Sequence, residues 1–289
     1  MSSSSAAARV LPSTDAFQLS SEDFSFFQSA INEVAGIHLA DSKIELVQSR
    51  LRSHVISLGY ESFKDYRNHL KSVPSGHADW QDFINLLTTN KTDFFREAAH
   101  FQFLKEKVIP KWLAESSSST FKVWCAASSS GEEPYTISMV LDSCLPKDKS
   151  YLVRATDIDT DILRKAQSGV YPRSKLAEIP TEYQRSFDLG TAEIKDWMRV
   201  KPHLKSKVTF SRYNLTGTNA PPDGDFDLVF CRNVLIYFTP ATIESVMKKL
   251  YQATKPGGLL LIGHSESLQN IKTDWKAVKP SVYSKEEKK

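Results

Sequence analysis

The segment AASSSGEEPY, residues 126–135, concentrates groups able to handle a ligand. It overlaps the end of an apolar run, FKVWCAA at 121–127, and leads into a helical pattern that starts near Glu132. In such a strand-to-helix turn the backbone must approach a ligand closely, which small side chains permit. Alanine, serine and a single glycine meet that need, but two glycines of a dinucleotide-binding G-x-G-x-x-G turn are missing. The turn instead delivers Glu132 and Glu133 to the first helical turn. Acids suit the positive end of the helix dipole, so both also have a purely structural reading. A loop carrying them repels phosphate and accepts an ammonium group. The next apolar run, YLVRATDID at 151–159, ends with Asp157 and Asp159. An acid at the end of a second strand bonds the ribose hydroxyls of an adenosine. Asp157 takes that role; Asp159 fits either a ligand contact or a helix cap. Adenosine joined to a cationic amino-acid tail describes S-adenosylmethionine.

These residues need a frame. After residue 120 strands and helices alternate: a strand at 121–127, a helix from Glu132 to Cys144, a strand at 151–159, then the helix TDILRKAQS with Gly169 at its C-terminal end. FDLVFCRN (226–233) reads as another strand, and Thr239 with Pro240 starts a helix that PGG (256–258) ends. LLLIGH (259–264) and SVYSKEE supply further strands. This alternation predicts a mostly parallel, doubly covered sheet with its ligand at the C-terminal strand ends. Residues 17–113 read as helices instead, with apolar side chains three and four apart, as in Phe24, Phe27, Ile31 and Val34. Ser42 and Glu45 fit a capping box for the second helix, and Gly59 its end. That helix carries Lys43, Arg50 and Arg52, which form either a solvated face or a docking face for an acidic helical partner.

Composition bounds the remaining classes. The 289 residues suggest about two domains. With 37 Lys+Arg against 34 Asp+Glu the net charge is +3, which argues against a nucleic-acid binder acting through bulk charge. Three cysteines, Cys125, Cys144 and Cys231, are too few and dispersed for a disulfide framework and suit a reducing cytoplasm. No apolar run approaches the ~20 residues of a spanning helix. The Ser/Ala-rich stretch 1–16 reads as a disordered tail. His38 and His264 have no ligand-spaced partners in sequence, so no metal is expected and both read as structural.

TNKTDFFRE (89–97), AASSSGEEPY, ATDIDTDIL (155–163), FCRNVLIYF (230–238) and KPGGLLLIGHSESL (255–268) occur in an order and spacing that resemble the chemotaxis receptor methyltransferases of the CheR type, over about residues 20–285. The resemblance implies an α/β fold: a Rossmann-like S-adenosylmethionine-dependent methyltransferase sheet, an N-terminal helical domain and a small inserted β-subdomain. It divides the chain into a receptor-docking domain at 17–90 and a catalytic domain at 91–289, with the insert at about 170–212. It implies transfer of a methyl group to glutamate side chains on chemoreceptor cytoplasmic helices, leaving S-adenosylhomocysteine. By matching position, Asn90, Thr92 and Arg96 belong to the cofactor-binding and active-site segment, Glu133 contacts the methionine amino group and Asp157 the ribose. Asn214 and Leu215 match the adenine edge, Arg232 and Asn233 the end of the fourth strand, and Tyr237 an active-site tyrosine near the methyl. The basic face of Lys43, Arg50 and Arg52 would dock on the receptor, and the family favours a monomer.

A glutamate nucleophile is already ionised at neutral pH, so no strong base is required. Arg96 and Tyr237 are therefore expected to orient rather than to move protons. Relatives that grip a receptor's C-terminal peptide carry a glycine-rich loop in the insert; here DLGTAEIKDWMRVKP (188–202) has only Gly190, so no such peptide is expected to bind. Rival readings are a dinucleotide oxidoreductase, a non-catalytic sensor of S-adenosylmethionine, and a methyltransferase acting on another protein or a small molecule.

Overall fold

The computed structural model describes residues 17–222 and 225–286; the tail expected at 1–16 lies outside them. The chain forms two compact units, one of residues up to Val34 plus His38–Leu87, the other of Ala35–Ile37 plus Thr88–Lys289. Among the described residues the first contains four α-helices: α1 (Ser21–Ala35), α2 (Ile44–Ser57), α3 (Phe63–Ser72) and α4 (Ala78–Leu87). Their apolar stripes converge as the spacing predicts, with Phe27, Ile31, Val47, Leu51, Phe63, Tyr66 and Phe83 all buried. Gly59 ends α2 in the left-handed region at φ 84°. The capping box expected at Ser42 does not form. A 3-10 turn at Asp41–Lys43 precedes α2, whose N-cap is Lys43 without a side-chain bond.

In the second unit α5 (Ala99–Phe103) continues through a π-helical turn at Leu104–Val108 into α6 (Ile109–Glu115), where Pro110 withholds a backbone donor. Strands and helices then alternate: β1 (Thr120–Ala126), α7 (Glu132–Cys144), β2 (Ser150–Asp157) and α8 (Thr160–Ser168). A small antiparallel sheet follows, from β3 (Val170–Pro172), α9 (Thr181–Gln184), β4 (Phe187–Leu189) and β5 (Trp197–Val200), in the order β3-β5-β4. It exposes Leu189, Ile194 and Trp197. After α10 (Pro202–Lys205) come β6 (Val208–Arg212), β7 (Phe226–Cys231), α11 (Pro240–Ala253), β8 (Thr254–Ile262), β9 (Lys276–Lys279) and β10 (Val282–Ser284). Residues 208–212, expected within the insert, instead pair in parallel with β2 as an edge of the main sheet.

The main sheet has seven strands in the order β6-β2-β1-β7-β8-β10-β9. The first five are parallel, and β10 runs antiparallel to both its neighbours. The order turns away in both directions from the β1–β7 boundary, and a crevice at the C-terminal ends of the strands is expected at such a point. The PGG segment does not end α11. Proline disfavours helical backbone at the residue before it, so the helix stops at Ala253, and Pro256–Gly258 lie inside β8. At the opposite end of the sheet, buried Asp227 accepts hydrogen bonds from Trp112 Nε1 (2.9 Å) and the Lys122 amide (2.8 Å) and pairs with Lys255. It thereby fastens α6, β1 and β8 to the start of β7.

Candidate functional site

The bend after β1 has the backbone a close ligand approach requires. Ala127, Ser129 and Gly131 all have positive φ, at 69°, 49° and 96°. Gly131 is needed on two grounds: its conformation, and a Cβ there would stand 2.8 Å from the Tyr171 hydroxyl. The Ser129 amide donates to Asp157 Oδ2 (2.8 Å) and the Asp159 amide to Asp157 Oδ1 (3.0 Å). The Ile158 amide also bonds this carboxylate, which keeps capacity for a further donor. Burial pushes the Asp157 carboxyl up to about 6 against the relief of those amide bonds. The buried Ser128 hydroxyl in the same bend has no partner among the described residues. A buried carboxylate at the end of the second strand can still accept from a ribose hydroxyl.

Asp159 resolves as the N-cap of α8, accepting from the Asp161 and Ile162 amides through Oδ1. Its Oδ2 accepts from Thr88 Oγ1 (2.7 Å) and Asn90 Nδ2 (2.6 Å), while the Asn90 carbonyl accepts from Ser129 Oγ. Asn90 is thus joined to the bend that carries Asp157. Thr92 is half-buried, and its carbonyl accepts from Lys175, which also pairs with Glu132 at 3.2 Å.

A second cluster surrounds Arg232, whose side chain is 1% exposed beyond the end of β7. Its guanidinium lies against the rings of Phe101 and Phe230. Nη1 donates to Glu133 Oε2 (2.5 Å), and Nη2 donates to Glu97 Oε2 (2.8 Å) and to the Arg96 carbonyl (2.6 Å). Glu133 Oε1 accepts from the Cys125 thiol, whose own ionisation burial pushes well above the ordinary range. Glu97 also accepts from Asn233 Nδ2 (3.1 Å) and the His264 amide (3.1 Å). These bonds outweigh its desolvation and hold its carboxyl down at about 2. Glu266, whose carboxyl burial pushes up, accepts from the amides of Asn233, Leu235 and Gly263. It fixes the turn that carries Tyr237, a half-buried residue at the end of a 3-10 segment at Leu235–Tyr237.

The structure therefore joins Asn90 with Asp157, and Arg96 with Glu133, Arg232 and Asn233. Asn214 and Leu215 lie in the loop after β6: Asn214 Oδ1 accepts from the Thr216 amide and hydroxyl, and Leu215 is buried in the core. The Arg96 side chain donates to the Lys91 carbonyl at 2.9 Å. In the helical unit Lys43 is exposed and Arg52 half-exposed, but Arg50 donates to the Leu87 carbonyl at the end of α4 (2.8 Å). Arg50 has a structural bond of its own there, unlike a residue reserved for a partner.

Glu97, Glu266 and Lys175 did not emerge from the sequence, although Glu97 directly follows Arg96 and Glu266 closes the HSES stretch. The reading of His264 as a residue without ligand-spaced partners needs correction. Its ring lies 4.6 Å from that of buried His100, and Glu97 completes a trio whose candidate ligand atoms fall within 4.8 Å. The arrangement is poor for a cation. Glu97 Oε2 already serves Arg232 and the His264 amide, and Arg232 places a fixed positive charge on the same oxygen.

Residues 22–88 match the family model "CheR methyltransferase, all-alpha domain" and residues 90–284 match "CheR methyltransferase, SAM binding domain". A chemotaxis protein methyltransferase of Klebsiella aerogenes is 41% identical over 267 residues, 92% of this chain and 90% of the relative. Those of Escherichia coli and Borreliella burgdorferi are 39% and 36% identical, covering 95% and 86% of this chain and 94% and 89% of their own. With both parts of the chain matched by these models and relatives alike over most of its length, this protein belongs to the CheR family of S-adenosylmethionine-dependent methyltransferases of chemotaxis.

Proposed function

We propose that the chain transfers the methyl group of S-adenosylmethionine to glutamate side chains on chemoreceptor cytoplasmic helices, forming methyl esters and S-adenosylhomocysteine. The observation that carries this reading is the Arg232 cluster, which ties the Arg96 backbone to Glu133 at the ends of β1 and β7. When bound, the cofactor supplies an electrophilic methyl on a sulfonium sulfur. The residues have then only to orient and to exclude water. Asp157 accepts the ribose hydroxyls, with Asn90 and Ser129 bracing its bend. Glu133 receives the ammonium group. Asn214 and Leu215 border the adenine, and Thr92 and Asn233 complete the cofactor wall.

Arg96 holds one oxygen of the substrate carboxylate. A guanidinium stays protonated, so it cannot take a proton from the substrate and acts through position. Tyr237 shapes the slot for the methyl. A glutamate nucleophile needs no base, so Glu133 and Asp157 would serve to bind the cofactor rather than to move a proton.

Lys43 and Arg52 of the helical unit, with the stem of Arg50, dock on the acidic methylation region of the receptor. The chain acts in the cytoplasm as a monomer, beside the receptor helices it modifies. The link between β4 and β5 turns tightly, since a Cβ on Gly190 would stand 1.9 Å from the Ile194 carbonyl oxygen. With Gly190 as its one glycine, this link is not expected to hold a receptor-tail peptide, and micromolar binding of such a peptide would contradict this.

The test is incubation with radiolabelled S-adenosylmethionine and receptor cytoplasmic fragments. Label released by mild alkali marks a carboxyl methyl ester and supports the reading. Alkali-stable label, or cofactor binding without turnover, would overturn it in favour of a different acceptor or a sensor.

A further inference from the structure

We propose that Glu97 is a positioning residue that neutralises Arg232 and so leaves the charge of Glu133 available for the ammonium group of the cofactor. The inference rests on the assignment of Glu133 made above and extends it to Glu97, which closes the TNKTDFFRE segment but to which the resemblance assigns no role. Arg232 sits against two phenyl rings with its side chain 1% exposed, where a lone cation is costly and needs a counter-ion. Two carboxylates reach it: Glu133 through Nη1 and Glu97 through Nη2. One cation facing two anions leaves the cluster with a net negative charge. An incoming ammonium group brings the count to balance. With Glu133 as sole partner of Arg232, the ammonium would meet a carboxylate already neutralised.

Glu97 is held for this task. Its φ is 58°, an uncommon conformation for a residue with a side chain. Asn233 Nδ2 and the His264 amide fix the carboxylate from two further directions. The same Nη2 that meets Glu97 also holds the Arg96 carbonyl, so one guanidinium sets both the cofactor's tail contact and the segment bearing Arg96.

The discriminating experiment is calorimetry with two ligands, S-adenosylhomocysteine and methylthioadenosine, which share the adenosine and differ in the amino-acid group. For Glu97→Gln, of nearly the same shape without the charge, S-adenosylhomocysteine should bind about tenfold more weakly while methylthioadenosine changes by less than about twofold. Equal weakening of both ligands would indicate a general structural role and overturn the proposal, as would unchanged binding of both. Glu97→Asp keeps the counter-ion and serves where Glu97→Gln does not fold. It should lose at most about threefold for S-adenosylhomocysteine, and a tenfold loss there would refute the charge argument. Native protein that failed to bind S-adenosylhomocysteine would sink the cofactor assignment itself, whereas native binding with an unaffected variant sinks only the role of Glu97.

Discussion

Acidification should switch off cofactor binding through Asp157. In the free protein burial holds this carboxyl at about 6, against 3.8 for an exposed aspartate. Ribose hydroxyls donate well only to the ionised form, so binding must first remove the proton below pH 6. Each pH unit of that work is about 1.36 kcal/mol, or tenfold in affinity. Between pH 7 and pH 5 the ionised fraction falls from about nine-tenths to about one-tenth, which predicts roughly tenfold weaker binding of S-adenosylhomocysteine. The stability of the free protein moves the other way. A carboxyl raised on folding stabilises the fold when protonated in both states, and that contribution is lost as pH rises from 3.8 through about 6. The shift of about two units corresponds to about 3 kcal/mol. The rise in melting temperature on adding S-adenosylhomocysteine should therefore grow as pH climbs through 6. Calorimetry from pH 5 to pH 7 tests the first effect and thermal unfolding the second. Asp157→Asn should bind weakly at every pH and lose the pH dependence. Affinity flat across the range, or native affinity in Asp157→Asn, would refute the reasoning.

Further expectations concern other parts of the chain. Arg96→Ala should keep S-adenosylhomocysteine affinity and lose about a hundredfold in turnover, the usual size for one positioned donor; near-native turnover would remove Arg96 from the mechanism. Charge reversal at Lys43 and Arg52 together should lower kcat/KM for receptor fragments about tenfold at low salt, with no effect on cofactor affinity. Arg50 is unsuited to that experiment because its bond to the Leu87 carbonyl would be lost as well. His100 is held neutral down to about 3, chiefly by burial and then by Arg232, against 6.5 when exposed. Its burial costs stability progressively as pH falls below 6.5, about 2 kcal/mol at pH 5. His100→Phe should flatten the unfolding curve between those pH values, and an unchanged slope would count against the burial argument.

What the sequence revealed tracks where local chemistry is strong. α7 and α8 start and stop where the spacing predicts, because Gly131, Asp159 and Gly169 punctuate them within a few residues. The helical half was legible from its three-and-four spacing, yet the box at Ser42 yielded to a 3-10 turn. β9 escaped notice because all four of its residues are exposed and two are lysines, leaving no alternation to read. β6 was masked by the insert that precedes it, since only pairing with β2 assigns it to the main sheet. Asp157 and Glu133 were legible because each ends or follows a recognisable strand. Glu97 was not, since its amide donor His264 lies 167 residues away and no local pattern joins them.

The anchor at Asp227 divides labour along the parallel strands. Their entry edge is bolted by a buried anion that three neighbouring elements share, while the exit edge keeps spare lone pairs turned toward visitors. Damage to the bolt should lower melting temperature yet spare ligand choice, whereas damage at the exit should alter ligand choice. The molecule can therefore retune what it binds without renegotiating how it holds together.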